Sequence, residues 1–220
     1  MNQRNIVLAI TGASGSAYAI RLAQVLLGAG HHIHLVVSGA ARQVAAQELD
    51  VSIPADDAPI DEWLDFTQTA LTTGRAAAWG FDESSTDVIG TFSVHGVGDY
   101  SAGIASGSFL TDGMIVCPCS MGTLSSIACG SSTNLVQRSA DVHLKEQRPL
   151  VLVPRETPLS LIALENMTRL SRAGATILPA MPGFYQRPAC VANLVDFVVA
   201  RICDHLGVEH SLVRRWSETE

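Results

Sequence analysis

The stretch IVLAITGASGS, residues 6–16, opens with five unbroken apolar residues and then turns abruptly small and polar. An uninterrupted apolar run of that length marks a strand buried on both faces, as in a parallel sheet covered by helices. Gly12 and Gly15 allow a tight turn, and Ser14 is placed to cap a following helix. That helix is predicted from Ala17 to Gly28, with Ile20, Leu22, Ala23, Leu26 and Leu27 apolar. IHLVV (33–37) reads as the next strand, and a second helix runs through Ala40 to Leu49. Strand, helix, strand, helix with short links implies parallel strands joined by right-handed crossovers.

The same grammar returns further along. PIDEWLDFTQTAL (59–71) reads as a helix anchored by Trp63 and Phe66, whereas Thr72 to Asp99 is acidic and dotted with Gly and Ser, with a strand read at VIGTFSV (88–94). GMIVCP (113–118) is a strand and CSMGTLSSIACG (119–130) a helix; residues 133–146 form another helix and 150–153 another strand. Leu159–Ala173 is helical, ATILPA (175–180) is the last strand, and CVANLVDFVVARICDHL (190–206) is a long final helix. No internal repeat interrupts this order. The expectation is one α/β domain over residues 1–210: a doubly wound, mainly parallel sheet with helices on both faces, Rossmann-like. Residues 211–220 are expected to form a tail.

Composition narrows the function. A chain of 220 residues with 47% hydrophobic and 16% charged residues is well-packed and globular rather than disordered. No run approaches the roughly 18 apolar residues of a membrane span, and the N-terminal apolar run is too short for a secretory signal, so a cytoplasmic protein is expected. Five scattered cysteines are read as reduced thiols, and Cys117-Pro118-Cys119, without a second paired motif, predicts no metal site. The net charge of −7 argues against nucleic acid as a partner. Yet ten of 14 basic residues lie from Arg138 onward, while eleven of 21 acids lie between Glu48 and Asp99. A late cationic cluster suits a small anion; a solvated basic face explains the charge alone equally well.

Ligands of such sheets sit beyond the carboxyl ends of the strands. Four of those ends are small or polar: TGASGS, Ser38, PCSMGT and PRET. TGASGS lacks the Gly-x-Gly-x-x-Gly spacing of dinucleotide sites and the Gly-Lys-Ser/Thr of a P-loop. One mononucleotide-like ligand such as FMN is the economical reading.

Five blocks then carry a resemblance: TGASG, CPCSMGTLSSIA, RSADVHLKEQRPLVLVPRETPLS, LENMTRLSRAGATILPAMPGFYQRP and LVDFVVARI. Together they resemble the flavin prenyltransferase family of the UbiX type, within the fold superfamily of flavin-containing cysteine decarboxylases. The resemblance runs from the first strand to Trp216 and is densest from Cys117 to Arg201. It implies a metal-independent enzyme that joins a dimethylallyl group from dimethylallyl phosphate to N5 and C6 of reduced FMN. The product, prenylated FMN, serves a partner decarboxylase in ubiquinone biosynthesis or aromatic-acid decarboxylation, and a homo-oligomer (a dodecamer) is implied.

By the same resemblance, Gly12, Ala13, Ser14, Ser38, Ser120, Met121, Gly122, Thr123 and Arg155 hold FMN. Tyr185, Arg201, Arg138 and Lys145 hold the dimethylallyl phosphate, Lys145 from a neighbouring subunit, and Trp216 folds over the site. Glu156, Glu48 and Ser14 are the expected catalytic groups. Arg, Lys and Tyr donors suit a departing phosphate, and a water-poor aromatic pocket protects the allylic cation left behind. Glu156, directly or through the retained phosphate, is the expected acceptor of the proton lost from C6. Each has a plain rival: a structural Arg155–Glu156 ion pair, a surface Tyr185, a snorkelling Arg201, a solvated Glu48 or Lys145.

Two departures stand out. Many relatives carry Trp where this chain has Tyr100, and residues 72–99 look longer than the family segment, with no role assigned. His95 lies in that stretch and is read as a loop histidine without a chemical role, although the related cysteine decarboxylases use a His as base. Their PxMNxxMW pattern is missing and PCSMGT replaces their PASANT. Cysteine decarboxylation, and non-catalytic binding and delivery of FMN, stay as the alternatives.

Overall fold

The computed structural model describes residues 3–81 and 88–214. Six strands form one parallel sheet: β1 (Asn5–Ile10), β2 (His32–Val37), β3 (Thr91–His95), β4 (Gly113–Cys119), β5 (Leu150–Pro154) and β6 (Thr176–Ile177). The helices are α1 (Ser16–Gly28), α2 (Gly39–Leu49), α3 (Ile60–Thr69), α4 (Met121–Ala128), α5 (Leu135–Lys145), α6 (Leu161–Arg172) and α7 (Val191–Leu206).

The strand order is β3-β2-β1-β4-β5-β6. The chain winds outward from β1 to β3, then crosses back and lays β4 on the free side of β1. That reversal opens a crevice beyond the carboxyl ends of β1 and β4, where open α/β sheets bind their ligands. The doubly wound parallel sheet is thus as the sequence predicts.

Register explains why the runs are continuous rather than alternating. Ile6–Ile10 stand beside Ile33–Val37 residue for residue, and successive side chains point to opposite faces. Ile6, Leu8, Ile10, Leu35 and Val37 enter one core with α1, α2 and α7; Val7, Ala9, Val116 and Leu152 enter the other with α4, α5 and α6. Both faces are covered, so every one of these positions except His34 is apolar. Trp63 anchors α3 as expected: it is 1% exposed and its Nε1–H donates to the Ala55 carbonyl at 3.2 Å.

Several boundaries differ from the sequence reading, and three of them have a clear cause or consequence. The expected helix at 119–130 begins at Met121, because Cys119 still belongs to β4 and Ser120 is the cap. The expected strand at 175–180 keeps only Thr176 and Ile177. Leu178 and Ala180 still donate to the Leu152 and Pro154 carbonyls, but Pro179 between them has no N–H to give. The strand expected at 88–94 runs from Thr91 to His95, so His95 closes a strand and is no loop residue. Its Nε2 lies 3.2 Å from Nδ1 of His34, a side chain 6% exposed and set edge-on to Phe109. Burial, reinforced by His32 and His95, pushes the His34 pKa down to about 4. Among the described residues, no helix is long and apolar enough to cross a membrane.

Candidate active site

The small residues at the strand ends become helix caps. Ser38 follows β2, and its Oγ accepts the Ala41 N–H at 3.1 Å. Ser120 follows β4, and its Oγ accepts the Thr123 N–H at 3.3 Å. Ser120 also donates its own N–H to Thr11 Oγ1 at 2.9 Å, while the Thr11 hydroxyl donates to the Pro118 carbonyl at 2.8 Å. These bonds stitch the loop after β1 to the loop after β4. Gly12 is required here, since a Cβ would stand 2.5 Å from Ala40 Cβ. The N-termini of α1, α2 and α4 therefore open onto one rim, and those of α2 and α4 have N–H groups left over for an anion.

Helix α1 is capped from a distance. Its N-cap is Gly15 and not Ser14, the residue the sequence placed as the cap; Gly15 sits in the left-handed region with φ 113° and has no side chain to offer. The carboxylate of Glu48, from the end of α2, takes its place. It accepts the Gly15 N–H with both oxygens at 3.0 Å and the Ser16 N–H at 3.0 Å. Negative charge belongs at that end of the helix dipole.

A cavity of about 340 Å³ opens between these elements. Its polar side is Ser14, Gly15, Tyr18, Glu48 and Arg155. Arg155 is the first residue beyond β5, and its buried Nε has no hydrogen-bond partner among the described residues. A buried guanidinium N–H without an acceptor is rare and asks for one from outside the chain. No ion pair joins Arg155 to Glu156 among the described residues; Glu156 is exposed and accepts the Thr157 N–H at 3.0 Å. The structural ion-pair reading of PRET therefore fails, because the two side chains go different ways. Tyr18 was not a candidate from sequence, where it merely follows a Gly/Ser turn. Burial raises its pKa, Cys117 and Glu48 add to the rise, and Arg155 opposes it. It enters the cavity as a protonated donor.

Of the sequence candidates, Ser14, Glu48 and Arg155 share this cavity, with Gly12 and Ala13 in the loop leading to it. Ser38, Ser120, Met121, Gly122 and Thr123 sit at the adjoining helix starts. The expected phosphate ligands do not line it. Tyr185 is 59% exposed and packs edge-on against Phe197. Arg201 lies on the open side of α7, paired with Asp204 at 2.8 Å. Arg138 donates to the Ala105 carbonyl at 2.9 Å and pairs with Asp141 at 3.2 Å, and Lys145, at the end of α5, pairs with Glu146 at 2.5 Å. Tyr100 donates its hydroxyl to the Ser132 carbonyl at 3.0 Å and does not line the cavity. Trp216 lies outside the described residues.

Comparison with known proteins follows the same lines. The Flavoprotein family model matches residues 1–203. The flavin prenyltransferase UbiX of Halalkalibacterium halodurans is 49% identical over 209 residues, covering 95% of this chain and 91% of that protein. This chain belongs to the flavin prenyltransferase family of the UbiX type. Among solved structures, AnUbiX (PadA1) in complex with FMN and dimethylallyl pyrophosphate superposes with a TM-score of 0.80, at 35% identity and covering 100% of both chains. A dodecameric FMN-dependent UbiX-like decarboxylase from Escherichia coli O157:H7 gives 0.76 at 39% identity, covering 97% of this chain and 99% of that one.

Proposed function

We propose that this chain is a flavin prenyltransferase, which joins a dimethylallyl group from dimethylallyl phosphate to reduced FMN. The observation that carries this reading is the buried, unpartnered Nε of Arg155, set in one cavity with Ser14 and Glu48 at the carboxyl edge of the sheet. These residues fit FMN: the N-termini of α2 and α4 offer N–H groups to its phosphate, and Arg155 offers its free N–H to a flavin acceptor. When bound, reduced FMN supplies N5 and C6 as the atoms that take the five-carbon group.

The chain's own work is to bind, orient and move protons. Arg155 fixes the flavin edge, and Ser14, in the loop before α1, presents its hydroxyl to the same space. Glu48 holds that loop in shape through Gly15 and Ser16. Glu156, next to Arg155 in the chain, is exposed, and in this reading it takes the proton released at C6. Arg201, Arg138 and Lys145 are exposed or half-exposed in the single chain. In this reading they complete the phosphate site across contacts between copies, in a homo-oligomer such as a dodecamer. The prenylated FMN is passed to a partner decarboxylase.

The test is direct. Purified protein is incubated anaerobically with reduced FMN and dimethylallyl phosphate, and the flavin is weighed. A five-carbon adduct is expected, whereas unmodified flavin removes the reading and leaves delivery or cysteine decarboxylation. Glu156→Gln is expected to bind FMN normally and stall transfer; full product yield from it assigns the proton to another base.

A further inference from the structure

The rest of the cavity lining is apolar: Ala17, Ala180, Val191, Val195 and Trp79. Trp79 comes from the stretch 72–99 to which the sequence assigns no role. It ends a short 3-10 turn, Gly74–Trp79, that runs from the end of α2 toward the start of α7. Both ends of this turn are pinned. At Gly74, with φ +54°, a Cβ would fall 2.4 Å from the Leu49 carbonyl oxygen, one residue from Glu48. Arg75 adds a bond from its guanidinium to the Gln47 carbonyl at 3.2 Å. At Gly80, with φ +83°, a Cβ would fall 2.7 Å from Sγ of Cys190, the residue that caps α7 just before Val191. In the middle, Ala76 is 0% exposed and acts as the anchor. The indole is thereby held across the cavity, between the end of α2 and the start of α7.

On the reading that the site transfers an allylic group, we infer that Trp79 is its size-determining wall: the apolar half takes the hydrocarbon, and the indole stops chains longer than five carbons. The division of the cavity supports this orientation. A leaving phosphate belongs with cations and not among apolar side chains, so the hydrocarbon takes the apolar lining of Trp79, Val191 and Val195. An indole face also suits the positive charge that develops on the allylic carbon. The donor C–O bond breaks with its electron pair going to phosphate, a bond to N5 replaces it, and the proton that N5 gives up goes to the departing phosphate; no oxidant or reductant is consumed.

The experiment offers reduced FMN equal amounts of dimethylallyl phosphate and geranyl phosphate and reads the ratio of ten-carbon to five-carbon adduct by mass. Wild-type protein is expected to make the five-carbon adduct predominantly. Trp79→Ala is expected to raise the ratio by about tenfold or more, the discrimination a hydrophobic pocket wall commonly supplies. Trp79→Leu, which keeps apolar bulk without the ring, shifts it in the same direction and stands in should the alanine variant not fold. Trp79→Phe is expected to restore most of the wild-type preference. An unchanged ratio in a folded variant that still makes the five-carbon adduct overturns the inference and leaves the transferase reading intact. Wild-type protein that makes neither adduct overturns both. Variants that all fail to fold make Trp79 a core residue and overturn the inference as well.

Discussion

His34 offers a stability experiment whose size follows from the structure. Its folded pKa of about 4 lies below the ordinary 6.5, chiefly because the ring is buried. The sign follows from the protons bound. Between the two values the unfolded chain takes up a proton that the folded chain refuses, so stability falls as pH drops from 6.5 toward 4. Each unit of difference is worth about 1.4 kcal/mol, which puts the full effect at about 3 kcal/mol. Between about pH 7.5 and about pH 5.5 the same linkage integrates to about 1.3 kcal/mol. His31, His32, His95 and His143 are also shifted down and act in the same sense. The informative quantity is therefore the difference between wild type and His34→Gln. The His95 shift survives that change, since it derives from burial, opposed by Asp99 and reinforced by His32. Urea unfolding at both pH values and one protein concentration is expected to give a wild-type midpoint that falls more on acidification. The excess is about 0.5 M, taking a slope of about 2.5 kcal/mol/M for a chain of this size. Equal pH dependence in the two proteins refutes the buried-neutral account of His34.

Two further perturbations probe the site. Glu48→Ala leaves the Gly15 and Ser16 N–H groups without their carboxylate and is expected to cost about 1–2 kcal/mol, a fall of about 2–8 °C in Tm; an unchanged Tm removes the capping role. Arg155→Met loses no hydrogen bond recorded to the protein by its Nε, so the unfolding midpoint without flavin should hold or rise. Its FMN affinity should fall about 10- to 100-fold, the worth of a charge-assisted hydrogen bond, and titration calorimetry that finds wild-type affinity excludes Arg155 as a flavin contact.

The parallel sheet was legible in the chain because strand burial on two faces writes itself as a near-continuous apolar run, unbroken in Ile6–Ile10 and interrupted only by His34 in Ile33–Val37. The serine and glycine turns were legible for a related reason: capping and tight turning are local demands that few residue types meet. The sequence blocks also identified the family, through long stretches rather than any single motif. Other features lay beyond local pattern. Nothing within a few residues of Glu48 foretells that its carboxylate closes the start of a helix 33 positions earlier. No periodicity distinguishes Arg155, with its buried idle N–H, from Arg201, which salt-bridges one turn away on its own helix. Trp79 sits in an acidic, glycine-dotted stretch that reads as plain loop, and close approaches to Leu49 and Cys190, with the Arg75 bond and the buried Ala76, carry it to the cavity. Secondary structure and its faces follow from short-range sterics and solvation, which composition and spacing record. The partners of a side chain depend on which distant segments the packed sheet brings within a few ångströms, and that is decided only once both cores have formed.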